Sequence, residues 1–561
     1  MVASSCKFFT SSFKESIIIF TSKEMIMTQV NELNRRDFVK FISAGTVTGL
    51  GLLSSNALTS CSTSKNSTPF QSFKPLNPSS ADELLLAEGF QYHRFITWGD
   101  RLNSRGEKFG INNDYLAFTS LNKKGTEGIL WVNHEYPLPH LIHDFKNLDN
   151  KTKAMIDLER KDVGGSLVHI KINKAGRWEM VKNSSYNRRL DGTTKIPFAA
   201  PRKIMGSNFA IGTFAGCAGG FTSWGTVLSC EENYQDYYGD RDSKGKILTK
   251  PMNEWNKAYN RPPEHYGWVV EIEPKTGKAK KLTALGRFSH ESATCVLARD
   301  GRTVVYSGDD KAGQYIYKFI SKKKGSLEEG ELFVGDVKKG KWISLDINKQ
   351  AILKKNFKDQ LDVLTFAREA GELVGATRLN RPEDIEVSPK TGEVFVTLTN
   401  NVDVGDYHGS IMKISPANGD HLSDRFVASD FAVGGEEFSC PDNLAFDLHG
   451  NLWMVTDISG SAMHKAPYTK FQNNGLFFFP MSGPNAGKPF QVASAPVDAE
   501  LTGLCFSPDY KSLFVSVQHP GEKSKSADKY TSHWPLGGAE KPRSAVIEIF
   551  GPNLDKIINQ A

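Results

Sequence analysis

The sequence predicts an all-β fold, a six-bladed β-propeller with long inter-strand insertions. Two observations predict it. A short apolar strand pattern that ends in polar residues recurs six times along the chain. Each recurrence sits in a longer unit with strand-like segments before and after it. A pair of β-sandwiches is the competing all-β arrangement.

The six recurrent strands are "GILWVNHEYP" (128–137), "TVLSCEEN" (226–233), "TVVYSGDD" (303–310), "EVFVTLTNN" (393–401), "NLWMVTD" (451–457) and "SLFVSVQHP" (512–520). Four of them follow a turn of the type "ARDG", "SPKTG", "DLHG" or "SPDY". Strand, turn, strand is a hairpin. A third strand follows each hairpin, for example "YGWVVEIEP" (266–274) and "HGSIMKISP" (408–416). Insertions at 174–210, 233–264 and 321–380 make the period irregular.

In a propeller the first strand of every blade lines the central channel. Residues at equivalent strand ends therefore form rings. The start of the first strand reads Asn113 or Asp114, Cys217, Glu291, Glu383, Asp442 and Glu500. The end of the second strand reads Glu135, Glu231 or Glu232, Asp309 or Asp310, Asn400 or Asn401, Asp457 and Gln518. One acid at a strand end is ordinarily a solvated turn residue. This many carboxylates around one channel would repel strongly without cations. Oxygen ligands suit Ca²⁺. The Cys217 thiolate suits a transition metal. The register alone therefore points to a mixed metal site.

Composition bounds the rest. The chain has 561 residues and a formal charge of +6, with its Lys and Arg spread along it. That excludes a nucleic-acid footprint. There is no GxSxG elbow, Walker loop or HExxH helix. Beyond Cys61 the cysteines are Cys217, Cys230, Cys295, Cys440 and Cys505, with no CxxC spacing. A zinc ribbon is therefore excluded, and full disulfide pairing is impossible with an odd number.

At the N-terminus, Arg35 and Arg36 precede an uncharged, mostly apolar run from Phe41 to Ala57. This resembles a twin-arginine export signal read by the export machinery. "LTSC" (58–61) resembles a lipobox with Cys61 as the lipidated first residue of an envelope or periplasmic protein. Met25 and Met27 offer alternative starts. Residues 61–80 read as a flexible tether, and the propeller as one domain over 81–561.

Several motifs carry a family resemblance. "VNHEYP", "GTFAGCAGGFTSWGTVLSCEENY", "GRFSHESATCVLARDGRTVVYSGDD", "RPEDIEVSPKTGEVFVTLTNN", "PDNLAFDLHGNLWMVTD" and "FSPDYKSLFVSVQHPGE" are similar, in order, to the PhoX-type alkaline phosphatase family. The resemblance implies a six-bladed propeller that hydrolyses phosphomonoesters, and a monomer acting on small phosphate esters is expected. A calcium-dependent lactonase-like propeller, which would have no use for Cys217, and a non-catalytic binding propeller are the alternatives. The resemblance further implies two Fe³⁺, three Ca²⁺ and a bridging oxo group. By motif, Cys217, Glu291 and Glu383 fall on iron ligands, and Arg381 on the arginine that holds the phosphate. Glu135, Glu231, Glu232, Asp309, Asp310, Asn400 and Asp457 are the calcium candidates. His134 and His290, next to ring acids, are expected to orient them. His519 is a candidate proton donor to the leaving group.

Overall fold

The computed structural model describes residues 73–559. Their strands form six blades, and each blade begins at the channel. The innermost strands are Asn113–Ser120, Gly216–Phe221, His290–Leu297, Pro382–Val387, Pro441–Phe446 and Glu500–Phe506. We number the blades one to six in that order. Each innermost strand lies against the next, and Glu500–Phe506 lies against Asn113–Ser120, so the ring is closed.

Blade four is the simplest unit. Pro382–Val387, Val394–Leu398, Ser410–Pro416 and Phe426–Val433 pair antiparallel in chain order. Blade six uses a different fourth strand. Its outer position is filled by Gln91–Thr97, which pairs with Ala545–Phe550 near the C-terminus. The two ends of the propeller are thus tied by backbone hydrogen bonds in one sheet. Such closure removes open sheet edges from the circle.

The hydrophobic core is divided among the blade interfaces. Blades one and two bury Trp131, Leu167, Val227 and Ile272 against each other. Blades five and six bury Trp453, Leu476, Val515 and Ile547. Equivalent clusters fill the other interfaces. Strands buried on both faces read as continuous apolar runs, which is why "ILWV" and "LFVSV" do not alternate. Close approach at the ring demands glycine at Gly503. Its φ is +60°, and a Cβ there would lie 2.3 Å from the Asp114 carbonyl oxygen.

Two features differ from the sequence expectation. Phe73, the first described residue, lies in the stretch read as a tether and is packed. Phe73 is buried against Phe90, Phe478 and Phe490. The insertion after blade three is partly helical, with short helices Ala351–Asn356, Gln360–Thr365 and Ala367–Val374. Leu353, Val363 and Ala367 pack them into the cluster between blades two and three. All five cysteines of the described residues are free thiols. The leader, its arginine pair and Cys61 lie outside the described residues.

Candidate metal centre and active site

A repeated backbone device aims the site residues. In blades one, two, four and five the residue before the innermost strand is left-handed: Asn112, Ala215, Arg381 and Cys440, with φ between +46° and +53°. Its carbonyl accepts a hydrogen bond from the residue just past the end of the second strand. The donors are the backbone N–H groups of Glu135, Glu232, Thr399 and Asp457. In blade three the Asp310 N–H donates in the same way to Ser289. Every innermost strand then carries a register shift against its partner, for example between Asn113 and Leu116 and between Gly216 and Gly219. A bulge re-aims the side chain it contains. Asp114, Cys217, Glu383 and Asp442 all stand inside such bulges.

This device decides between the paired acids. Glu232 and Asp310 hold the channel position, one residue past their strands. Glu231 and Asp309 are the last strand residues and serve other partners. The Glu231 carboxylate accepts from Lys281 Nζ at 2.6 Å and from the N–H groups of Gly267 and Trp268. Both side chains of that ion pair are fully buried. Breaking such a pair from one side costs about 3–5 kcal/mol, so Glu231 belongs to stability. Asp309 is bound by the Arg368 guanidinium and the Ser289 N–H. Asn400 is displaced too. Its amide faces the Cys440 sulfur at 3.4 Å, and Thr399 occupies the blade-four position. Asn401 bonds to Asn380. In blade one Asn113 donates to the Ala545 carbonyl, leaving Asp114 as the channel residue.

The remaining acids converge. Ligand atoms of Asp114, Glu135 and Cys217 lie within 4.8 Å of one another, and so do those of Cys217, Glu232 and Glu291. Cys217 is common to both groups, and its Sγ donates to Asp114 Oδ2 at 3.4 Å. Neither group contains Glu383. Both carboxylate oxygens of Glu291, one of Asp114 and one of Glu383 are buried with no partner. An unpaired buried carboxylate oxygen costs several kcal/mol.

Burial is the largest electrostatic effect, followed by mutual repulsion. Burial pushes the Asp114 carboxyl up to about 7. Burial, then the Asp114 charge, takes Glu135 to about 8. Burial and neighbouring acids raise Glu232, Glu291, Glu383, Asp442 and Glu500 well above the carboxylate range. Burial and Asp114 raise the Cys217 thiol as well. Bound cations would reverse each shift, because they favour the charged forms. A soft sulfur among unpartnered carboxylate oxygens therefore fits metal ions.

Arg381 supplies positive charge beside these acids. Its Nε and Nη2 donate to the two Asp310 oxygens, each at 2.9 Å, and Nη2 also donates to Glu383. Asp457 Oδ2 lies 3.7 Å from Nη2. The Nη1 group has no bond among the described residues. Gln518 was expected in the ring and is there, donating to Asp114 Oδ2 at 3.0 Å and to Glu135 Oε2 at 2.9 Å. His519 lies 3.1 Å from Glu500 Oε1, and its other ring nitrogen faces the Asp498 carbonyl. His134 and His290 do not orient ring acids. His134 faces Ser166 and the Ile111 carbonyl, and His290 faces Ser307 and the Gly286 carbonyl. Each points away from the channel because it is the last or first residue of a strand whose neighbour points in.

The comparisons agree with this geometry. The family model for alkaline phosphatase PhoX matches residues 71–521. Among solved structures, Pseudomonas fluorescens PhoX in complex with vanadate, a transition state analogue, is 29% identical with a TM-score of 0.76. That match covers 86% of this chain and 98% of that one. The gluconolactonase XC5397 from Xanthomonas campestris is 10% identical with a TM-score of 0.34, covering 85% and 100%. No curated protein matches the chain. With its six blades, its metal-competent acids and a family match over most of its length, the chain belongs to the PhoX alkaline phosphatase family of metal-dependent phosphomonoesterases.

Proposed function

We propose that the channel holds a mixed iron and calcium centre and that Arg381 receives the phosphate there. The observation that carries this is the Cys217 sulfur shared between two groups of carboxylates whose oxygens are in part unpartnered. Iron is assigned to Cys217, because only a transition metal prefers a thiolate, and to Glu291, which shares a ligand group with it; Glu383 joins them on the family resemblance alone. Calcium is assigned to the all-oxygen remainder, Asp114, Glu135, Glu232, Asp310 and Asp457. The family resemblance puts the numbers at two Fe³⁺ with a bridging oxo group and three Ca²⁺. When bound, the ions supply Lewis-acid stabilisation of phosphoryl oxygens and a reactive oxygen nucleophile.

The chain's own groups do the positioning. Arg381 offers the two N–H groups of Nη1 to the phosphate and offsets the charge its oxygens gain in the transition state. Asp310 holds the guanidinium from behind through Nε and Nη2. Gln518 fixes the facing edges of Asp114 and Glu135. The test is metal analysis with an aryl phosphate assay. Purified protein should contain iron and calcium, and a strong chelator should abolish hydrolysis until both are returned. Calcium without iron, or activity that survives complete removal of both, would overturn the assignment.

We also propose export through the Arg35–Arg36 leader and anchoring at Cys61. The resemblance of "LTSC" to a lipobox makes a lipid on Cys61 the proposed tether. Replacing both arginines with lysine should leave the protein inside the cell. Unchanged export in a cell-fractionation assay would refute this reading.

A further inference from the structure

A second concave site lies on the same end of the propeller as the acids, outside the channel. Its cavity measures about 760 Å³ and is lined by residues from three distant stretches of sequence. Trp98 follows the strand whose last residue, Thr97, pairs with Ala545, and Ala545 also pairs with Val517 beside Gln518. Arg189 pairs with Ser166 at the end of blade one that carries His134. None of the channel acids lines this cavity, and neither does Arg381.

The partners of its charged groups decide the sign of its field. Three carboxylates line it, and all three are engaged. Asp162 accepts from Trp98 Nε1 at 3.0 Å. Asp191 accepts from Thr193 and Thr194 in its own turn. Glu107 pairs with Arg105. Arg189 lies in the field of all three, but the lining holds six cations, Arg105, Lys108, Lys161, Arg189, Lys541 and Arg543, to these three carboxylates. Lys108, Lys161 and Arg543 have no ion pair among the described residues. Arg189 donates only to neutral oxygens, those of Ser166, Val163 and Lys161, and its buried Nε has no partner. Lys541 is shared between Asp144 and the face of Trp98. The wall between these cations is apolar, with Trp98, Phe109, Ile142 and Leu158. A cavity of this size with an apolar wall and convergent charge is the usual form of a small-molecule site.

We propose that this cavity binds a multiply charged organic phosphate of nucleotide size, independently of the channel. Its phosphate groups meet Lys108, Lys161 and Arg543, and its organic body lies on Trp98, Ile142 and Leu158. Guanidinium groups suit phosphate because their donors match its oxygens in pairs.

The test is calorimetric titration of the full metal-loaded chain with α,β-methylene-ADP, whose terminal phosphonate is not an ester. The Arg543→Ala/Lys161→Ala variant should lose one binding event or weaken it about tenfold. Arg381→Ala should keep that event, which separates this site from the phosphate position in the channel. Adding salt should weaken the event, since it is electrostatic. Lys108→Glu, at an exposed position, provides a second variant with the same expected direction should the double variant unfold. Titration of these cavity variants identical to the parent chain, or one binding event that vanishes only in Arg381→Ala, would overturn the proposal.

Discussion

Cys217→Ala is expected to strip iron from the protein and to lower kcat at least ~10³-fold, about 4 kcal/mol of barrier. The reason is the geometry of sharing. Cys217 Sγ belongs to both ligand groups, so one deletion takes the soft donor from each and leaves their carboxylates in place. No other sulfur can substitute. Cys230, Cys295 and Cys505 stand on blade strands outside these groups, and Cys440 faces Ser439 and the Tyr407 carbonyl. The fold should survive. Cys217 is only half-buried, and the strand around it is held by pairing between Gly216 and Glu231 and between Gly219 and Ser229. Calcium should also remain, because its proposed ligands are all oxygen. Cys217→Ser is the sharper variant, since it keeps a donor of similar size but hardens it. Metal content by elemental analysis, kcat on an aryl phosphate and the thermal midpoint check the three claims together. Full iron and full turnover in either variant would remove the thiolate from the centre.

Much of this was legible in the sequence. Six recurrences of one strand pattern gave the blade number, because each blade repeats the same hairpin against the same channel. The ring of Cys217, Glu291, Glu383, Asp442 and Glu500 was readable for the same reason. The second ring was readable only to within one residue. In "SCEEN" and "SGDD" two acids are adjacent, and alternation sends them to different partners. Which one faces in depends on where pairing stops. Glu231 ends its strand and meets Lys281, which lies 50 positions away in sequence. Nothing local announces that lysine. Blade four shows the converse. Thr399 holds the ring position, but it is not acidic, so attention fell on Asn400 beside it. Thr399 is found only from the backbone: its N–H bonds back to the Arg381 carbonyl as that of Glu135 does to Asn112, across hairpins of unequal length.

The histidines failed for a related reason. Adjacency to a ring acid suggested an orienting role for His134 and His290. Adjacent strand residues point to opposite faces, so adjacency argued against contact. His519 lies past the strand end, where alternation no longer applies, and it reaches Glu500. The outer cavity was not legible at all. Its cations come from positions near 108, 161, 189 and 543, and only the closure of blade six by Gln91–Thr97 brings the first and last together.

Arg381→Ala is expected to keep the metals and lose about 2.7–4 kcal/mol of transition-state stabilisation, or roughly 10²–10³ in kcat/KM. Retention follows from charge. Arg381 is bound to Asp310 and Glu383, and Asp457 is close by. Removing its positive charge makes those carboxylates better cation ligands, so a loss of metal would contradict the electrostatics. The backbone tolerates the change, because alanine and arginine carry the same Cβ at φ +48°. Loss of rate follows from geometry. The acids hold Nε and Nη2 and leave Nη1 unbonded, so the fork is oriented before a phosphate arrives. An oriented donor costs no reorganisation during the reaction. Arg381→Lys separates charge from shape. It restores one positive charge but not the planar guanidinium that Asp310 and Glu383 hold in orientation, so it should recover only part of the rate. Inhibition by inorganic phosphate gives an independent reading, because the product would use the same donors. Its inhibition constant should rise with Arg381→Ala and recover partly with Arg381→Lys. If kcat/KM and phosphate inhibition both stay at the parent values in Arg381→Ala, the phosphate is held elsewhere in the channel and the assignment of this arginine fails.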